Sequence, residues 1–330
     1  MKILVTGGAG YIGSHTVAEL QKKGYEVVVF DNLVYGHKES ITCPLVVGDL
    51  LHKDEINSIF KKQKFNSVIH FAGYAAAGES MQLPAKYFEN NIQSGVNLLE
   101  AMRKNEVKKI VFSSSCAQYG FPQKLPVTED ESKRPVSVYG ESKLMFEKVL
   151  SWYDKLFEIK NICLRYFNAA GASLDASIGE AKQPPTNVIP IMMKVVLGQA
   201  EKFAIFGNDY QTPDGTCIRD YIHVLDLASA HIKSLDYLEK NNTSNYFNVG
   251  YGIGYSVKDI VEMVKKISGV DFKVEVGPRR PGDPDAIYAD NSKIKKVLGW
   301  KPKYSDLETI IKTAWNWHKS HPNGYQSTEV

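Results

Sequence analysis

Short apolar runs and amphipathic stretches alternate through the first half of the chain. Lys2 to Thr6 is an aliphatic, β-branched run, the composition of a strand buried on both faces. Ser14 to Lys23 then carries a helical face set by Val17, Leu20 and Gln21, and Gly24 marks its end. Further strands are predicted at Glu26 to Phe30, Pro44 to Val47, Ser67 to Phe71, Ile110 to Ser113 and Asn161 to Tyr166. Between them Asp54 to Gln63, Pro84 to Lys104 and Ser137 to Phe157 read as helices. In the long middle one Phe88, Ile92, Val96, Leu99 and Met102 recur at helical spacing. Strands that alternate with helices return parallel, so the expected fold class is α/β, a doubly wound parallel sheet with helices on both faces.

From about Gly171 this rhythm breaks. Residues 171–187 are loop-like, and helices are predicted at 224–239, 256–268, 290–298 and 305–319. The expectation is a first domain over 1–170 and a smaller C-terminal α/β lobe over 171–330, with a soft boundary because segments can cross between lobes. Ligands of such sheets bind beyond the carboxyl ends of the strands. Gly7–Gly13, Asp31, Asp49, Ala72-Gly73, Ser113-Ser114-Ser115 and Tyr166-Phe167-Asn168 all fall at predicted strand ends, and so converge on one crevice.

The first thirty-one residues say what that crevice holds. A strand runs directly into Gly7-Gly8-Ala9-Gly10-Tyr11-Ile12-Gly13, then a helix, then a second strand closed by Asp31. The glycines fit both Gly8-x-Gly10-x-x-Gly13 and Gly7-x-x-Gly10-x-x-Gly13. Glycine lets the backbone approach a ligand closely, so the N–H groups that open the helix can point at a pyrophosphate. An acid at the tip of the second strand can accept from a ribose diol. The order strand, glycine turn, helix, strand, acid is that of a Rossmann-type dinucleotide-binding unit. No Arg or Lys follows Asp31-Asn32 until Lys38, which favours NAD over NADP, because a 2′-phosphate would meet a carboxylate and no cation.

Charge adds one point. A net charge of +3 is too slight for a nucleic-acid surface, but only six of the 40 cations are Arg. Three of these, Arg219, Arg279 and Arg280, lie in the C-terminal part, which suggests anion contacts there, against the plainer reading that they pair with Asp220 and Asp283. Four scattered cysteines form no disulfide framework, no apolar run approaches the ~20 residues a membrane span needs, and the eight histidines have no metal-ligand spacing. A cytoplasmic protein without metal is expected.

Tyr139-Gly140-Glu141-Ser142-Lys143 puts a phenol and an ammonium at i and i+4 of a helix, twenty-four residues after Ser115 at a strand end. A nearby cation stabilises phenolate, so Tyr139 is expected to have its pKa drawn down toward neutrality and to remove a hydroxyl proton. The plainer reading is a helix-surface tyrosine with Lys143 in solvent.

Together Gly7–Gly13, Ser115, Tyr139-x-x-x-Lys143 and Arg165-Tyr166-Phe167-Asn168 resemble the extended short-chain dehydrogenase/reductase family. Within it the chain is similar, along nearly its full length, to the enzymes that epimerise UDP-hexoses at C4. The blocks Asp31-Asn32-Leu33, His70-Phe71-Ala72-Gly73, Phe206 to Tyr210, Gly215 to Val224 and Arg279 to Asp283 carry this likeness. The resemblance implies NAD-dependent interconversion of UDP-glucose and UDP-galactose through a transient 4-keto sugar, with NAD kept throughout. It implies Ser115, Tyr139 and Lys143 as catalytic residues. NAD contacts then fall on Gly7, Gly10, Tyr11, Ile12, Gly13, Asp31, Asn32, Asp49, Leu50, Phe71, Ala72, Gly73, Asn90 (or Asn91), Ser113, Tyr139, Lys143 and Tyr166. UDP-sugar contacts fall on Ser115, Tyr139, Asn168, Asn187, Val188, Phe206, Arg219, Arg280 and Asp283, with Ile287 at the sugar gate. A homodimer formed through helices 84–104 and 137–157 is implied too.

Two departures stand out. Many such epimerases carry Lys soon after Phe-Ala-Gly, where this chain has Tyr74-Ala75. Ile287 is intermediate between the bulky gate residues that go with plain sugars and the small ones that admit N-acetyl groups, so an N-acetylhexosamine or bifunctional epimerase stays open. A related 4,6-dehydratase would need an Asp-Glu pair where Cys116 and Ala117 stand. A net reductase with NADPH is opposed by Asp31, and a catalytically silent NAD-binding sensor by the intact Ser115, Tyr139 and Lys143.

Overall fold

The computed structural model describes residues 1–280 and 282–326, so Pro281 of the Arg279–Asp283 block lies outside the described residues. The chain opens with β1 (Lys2–Thr6), α1 (Tyr11–Lys22), β2 (Glu26–Asp31), β3 (Leu45–Val47), α2 (Lys53–Lys62) and β4 (Ser67–His70). It continues through α3 (Ala77–Ser80), α4 (Pro84–Phe88), a π turn at Glu89–Gln93, α5 (Ser94–Lys104), β5 (Lys109–Ser115), a 3-10 turn at Cys116–Tyr119, α6 (Val138–Phe157) and β6 (Lys160–Tyr166). The later elements are β7 (Asn168–Ala170), α7 (Val188–Val196), β8 (Phe203–Phe206), β9 (Ile218–His223), α8 (Val224–Asn241) and β10 (Asn245–Val249). They end with β11 (Gly254–Ser256), α9 (Val257–Ser268), β12 (Val274–Gly277), β13 (Ala286–Ile287), α10 (Ser292–Leu298) and α11 (Leu307–Ser320).

Seven strands form one parallel sheet in the order β10-β6-β5-β4-β1-β2-β3. Its alternation explains its two-sided burial. Ile3, Val5, Val27 and Val29 face a core shared with Val17 and Leu20 of α1 and Leu227 and Leu235 of α8. Leu4, Val28, Phe30 and Val68 face the opposite one, against Ile56 of α2, Leu98 of α5 and Phe146 of α6. Strand order reverses between β1 and β4, and there the two following loops touch: Phe71 N and Ala72 N both donate to Thr6 O, at 2.8 and 3.1 Å. This switch point is where a crevice opens.

The sequence reading ended this sheet at the sixth strand. In the structure α8 and β10 return from the second half of the chain, and β10 pairs β6 from Asn245↔Ile162 to Val249↔Tyr166. Two asparagines break the apolar run of Asn245-Tyr246-Phe247-Asn248-Val249, which hides the strand from a pattern search. A second layer of β7, β9, β11 and β13, with the β8–β12 pair, packs through Met192, Phe203, Ile260 and Ile310. A buried ion pair, Arg165 Nη2 to Glu147 Oε2 at 2.6 Å, clamps α6 onto β6, and Ser114 Oγ donates to Glu147 Oε1 at 2.5 Å. Removing one partner of such a pair leaves a buried charge alone, at a cost of roughly 3–5 kcal/mol. The clamp therefore fixes the helix that carries Tyr139 and Lys143.

Candidate active site

The turn after β1 is built by contact. Gly7 has φ +72°, and a Cβ there would lie 2.4 Å from Ala72 N; at Gly13 it would lie 2.3 Å from Gly7 O. Gly8 is constrained too, because a Cβ there would lie 2.7 Å from Val29 Cγ2, so both glycine spacings bear on the loop. Gly10 caps α1 without a side chain, and the first turn carries no acid, so its N–H groups are left for an anion. Asp31 is held ready at the tip of β2, with Ala9 N and Leu33 N donating to its two carboxylate oxygens at 3.0 and 2.9 Å. Burial pushes its carboxyl up, and those two bonds hold the rise in check. Asn32 Nδ2 donates to Asp49 Oδ2 at 3.0 Å.

An open cleft lies over these groups. Ten residues expected from the sequence line it: Gly7, Gly10, Asp31, Asn32, Asp49, Leu50, Phe71, Ala72, Gly73 and Asn90. Glycine turn and strand-tip acid together fit a dinucleotide. Tyr11, Ile12 and Gly13 offer it only the backbone N–H groups that open α1. The Tyr11 hydroxyl donates to Gly171 O at 2.6 Å, Ile12 packs into the core, and Gly13 seals the turn. Phe30, Val34, Tyr35, Gly36, Gly48, Tyr74 and Ser94 also line it and were not anticipated. Asn90 reaches the cleft because the helix expected over 84–104 is interrupted by the π turn, an insertion that locally re-aims side chains. Asn91 points inward instead, its amide bridging both backbone groups of Tyr74 and Ser142 Oγ on α6.

At the carboxyl end of β5, Ser115 Oγ accepts from Ala117 N at 3.1 Å and so starts the 3-10 turn. Ser137 caps α6 by accepting from Gly140 N, and Tyr139 stands in the first helical turn with its N–H donating to Ser80 Oγ at 3.1 Å. One turn on, Lys143 Nζ donates to Ser113 O at 2.9 Å, and a Cβ at Gly73 would lie 3.5 Å from it. Lys143 is thus in the wall between the cleft and Tyr139. Ser113 Oγ and Tyr166 OH are hydrogen-bonded beside it.

The expected tuning of the phenol is not built by the chain alone. Burial pushes Tyr139 up to about 12, with the Ser115 hydroxyl pulling it down and the Cys116 thiol pushing it further up. Burial lowers Lys143 to about 8. The ammonium lies 5.9 Å from the Tyr139 ring centroid and is engaged by the Ser113 carbonyl, so desolvation outweighs attraction. A positive charge brought next to the phenol from outside would reverse the balance.

The remaining expected residues fall into two groups. Asn168, Asn187 and Val188 line a small cavity with Glu180, Tyr221 and His318. Asn187 Nδ2 donates there to Glu180 Oε1 at 2.8 Å, and burial raises the Glu180 carboxyl to about 7. Glu180 has no local sequence signal. In the second group Arg219 Nη2 donates to Asp283 Oδ1 at 2.9 Å, and the Arg280 guanidinium lies 4.0 Å over the Phe206 ring. β9 joins the groups, with Asn168 in register with Tyr221 and Arg219 with Ile287. Ile287 is buried with Phe167 and Tyr119 against Cys116. The charge of Arg219 reaches the Cys116 thiol, which in turn bears on Tyr139. Cys116, next to Ser115, thus packs against Ile287, the register partner of Arg219.

A parallel sheet whose switch-point cleft adjoins a buried serine and lysine and a half-buried tyrosine defines an enzyme of dinucleotide-dependent chemistry. More particularly, residues 3–250 match the NAD dependent epimerase/dehydratase family, and the chain belongs to it. It is 48% identical over 328 residues to UDP-glucose 4-epimerase of Lactobacillus helveticus, covering 99% of each chain. A crystal structure of UDP-glucose 4-epimerase superposes with a TM-score of 0.97 at 45% identity, over 99% of this chain and 100% of that one. The epimerase of Bifidobacterium longum, solved with NAD+ and UDP, matches with a TM-score of 0.94 at 38% identity, over 98% and 100%.

Proposed function

We propose that this protein interconverts UDP-glucose and UDP-galactose by inverting C4 of the sugar, keeping one NAD throughout. The observation that carries this reading is Lys143 in the wall between the Gly73 side of the cofactor cleft and Tyr139. Bound NAD supplies an acceptor, then a donor, of hydride at C4. Tyr139 removes the C4 hydroxyl proton and returns it to the ketone oxygen after the sugar has presented its other face. Ser115 orients that oxygen, while Lys143 holds the nicotinamide ribose and keeps its charge near the phenol. Asn168, Asn187 and Val188 hold the uridine with Phe206, Arg219 and Arg280 take the diphosphate, Asp283 the ribose, and Ile287 bounds the sugar.

Gly7, Gly10, Asp31, Asn32, Asp49, Leu50, Phe71, Ala72, Gly73 and Asn90 hold NAD in this reading, with Ser113 and Tyr166 beside the nicotinamide. Residues 1–170, joined by α8 and β10, make the cofactor domain, and the rest of 171–330 makes the UDP-sugar lobe. Dehydration is disfavoured because Ala117 has no proton to move and burial pushes the Cys116 thiol up to about 12. Exposed Met145, Trp152 and Leu156, on one face of α6, support a homodimer, which light scattering would test. Among the described residues no helix is long and apolar enough to cross a membrane. Four free cysteines agree with a reducing, cytoplasmic home.

A coupled assay offering UDP-galactose and UDP-N-acetylgalactosamine side by side tests the reading. The expected result is conversion of UDP-galactose without added reductant, and the ratio of the two rates measures the opening at Ile287. No change at C4 of either sugar, even with NAD supplied, overturns the reading in favour of a silent NAD-binding protein.

A further inference from the structure

Two tyrosines that the reaction does not use stand across the mouth of the cofactor cleft. Tyr35 follows β2 and Tyr74 follows β4; both line the cleft and both reach solvent. Their rings meet edge to face, with centroids 5.8 Å apart and planes at 83°. Behind each ring is a cation: Lys182 Nζ lies 4.8 Å from the Tyr35 centroid and Lys86 Nζ 4.3 Å from that of Tyr74. Lys86 is fixed by Glu79 at 2.8 Å, and Glu79 Oε2 accepts from the buried Tyr87 hydroxyl. Asn91 holds the Tyr74 backbone from both sides. Lys182 comes from the 171–187 loop, so the chain of contacts crosses between the two halves of the molecule.

We propose that Tyr35 and Tyr74 are further cofactor-binding residues, a latch braced by Lys182 and Lys86 that sets how long a bound nicotinamide dinucleotide stays in the cleft. The proposal rests on the NAD reading above. After Phe71-Ala72-Gly73 this chain places a ring at the cleft and keeps its cations behind it. An aromatic edge-to-face contact and a cation over each ring must break before the mouth can open. Because Lys182 lies in the other half, release is coupled to withdrawal of the 171–187 loop.

Exchange of bound NAD for radiolabelled NAD, measured on the purified holoprotein, tests this without reference to turnover. Tyr35→Ala and Tyr74→Ala are each expected to exchange roughly tenfold faster, the scale of one aromatic pair plus one cation contact. Tyr35→Phe and Tyr74→Phe keep the ring and should exchange at the wild-type rate. Lys182→Ala should exchange faster by a smaller factor, and it carries the test if a ring deletion impairs folding. Wild-type exchange in the alanine and Lys182→Ala variants overturns the latch, as does acceleration by the phenylalanine variants equal to that by alanine. A wild-type protein that binds no NAD at all would instead overturn the proposed function.

Discussion

The two halves of the crevice handle charge in opposite ways. On the cofactor side the acids are held by neutral donors: Asp31 by Ala9 N and Leu33 N, Asp49 by Leu51 N and Asn32. Those donors belong to the loops that the sheet itself brings together, so they stand ready whether or not a ligand is present. On the other side each guanidinium is already engaged. Arg219 is paired with Asp283, Arg279 with Asp209 at 2.7 Å, and Arg280 is stacked on Phe206. A ligand entering the first side finds a finished cradle, whereas an anion entering the second must share or displace an existing partner. Preorganisation of this kind favours tight retention, and exchangeable pairing favours turnover. The difference matches the needs of a reaction in which one molecule stays and the other leaves.

The strongest way to probe the boundary between the halves is Tyr139→Phe. In the proposed mechanism Tyr139 moves the proton, so its loss should lower kcat by about 10³-fold, within the range general acid–base catalysis supplies, while KM and bound NAD change little. Steady-state kinetics with cofactor content measured on the same sample checks this, and wild-type kcat would remove Tyr139 from the mechanism. Arg219→Ala should act on one half alone. If Arg219 takes the diphosphate as proposed, loss of that charge-assisted contact, with Asp283 left unpaired, should raise KM by about 10–100-fold and leave bound NAD unchanged. Loss of NAD from that variant would show that the two halves do not act separately.

How much of this was legible in the sequence follows the same division. The glycine turn and Asp31 sit in one strand-helix-strand unit, so local pattern alone located the cradle. Asn90 was named, but the π turn that aims it was not, because Phe88 and Ile92 keep helical spacing across the interruption. The pairing of Tyr139 with Lys143 was legible as adjacency, whereas the sign of the pKa shift was not. Spacing shows that two side chains share a helix face; it does not show that Lys143 Nζ turns to the Ser113 carbonyl in a dry wall. On the other side the arginines drew notice by their scarcity. Asp283 is already in view from the sequence as a candidate partner of these arginines, and Arg219 takes it; Asp209 under Arg279, like Glu180 and Tyr35, is set by contacts between segments far apart in the chain, and no short window carries them.

Glu180 offers the subtlest test, because it asks whether the second half also contains a group held in an unready state. Its carboxyl is buried near the Tyr11 phenol, and its backbone carbonyl accepts from the Trp317 indole N–H at 3.2 Å. His318 lines the same cavity, its imidazole pushed down to about 4 by burial, so it brings no charge near neutral pH. The Asn187 amide and Lys182 favour the carboxylate, yet burial outweighs them and raises Glu180 from an ordinary 4.5 to about 7. Between those values the folded chain keeps a proton that the unfolded chain has lost, so stability falls as pH rises through the window. Glu180→Gln keeps an acceptor for Asn187 but removes the titration. Its melting temperature should match wild type near about pH 5 and exceed it by a few degrees near about pH 8. A difference that stays constant across that range would mean that Glu180 does not titrate within it, and the second half would then differ from the first only in how its arginines are paired.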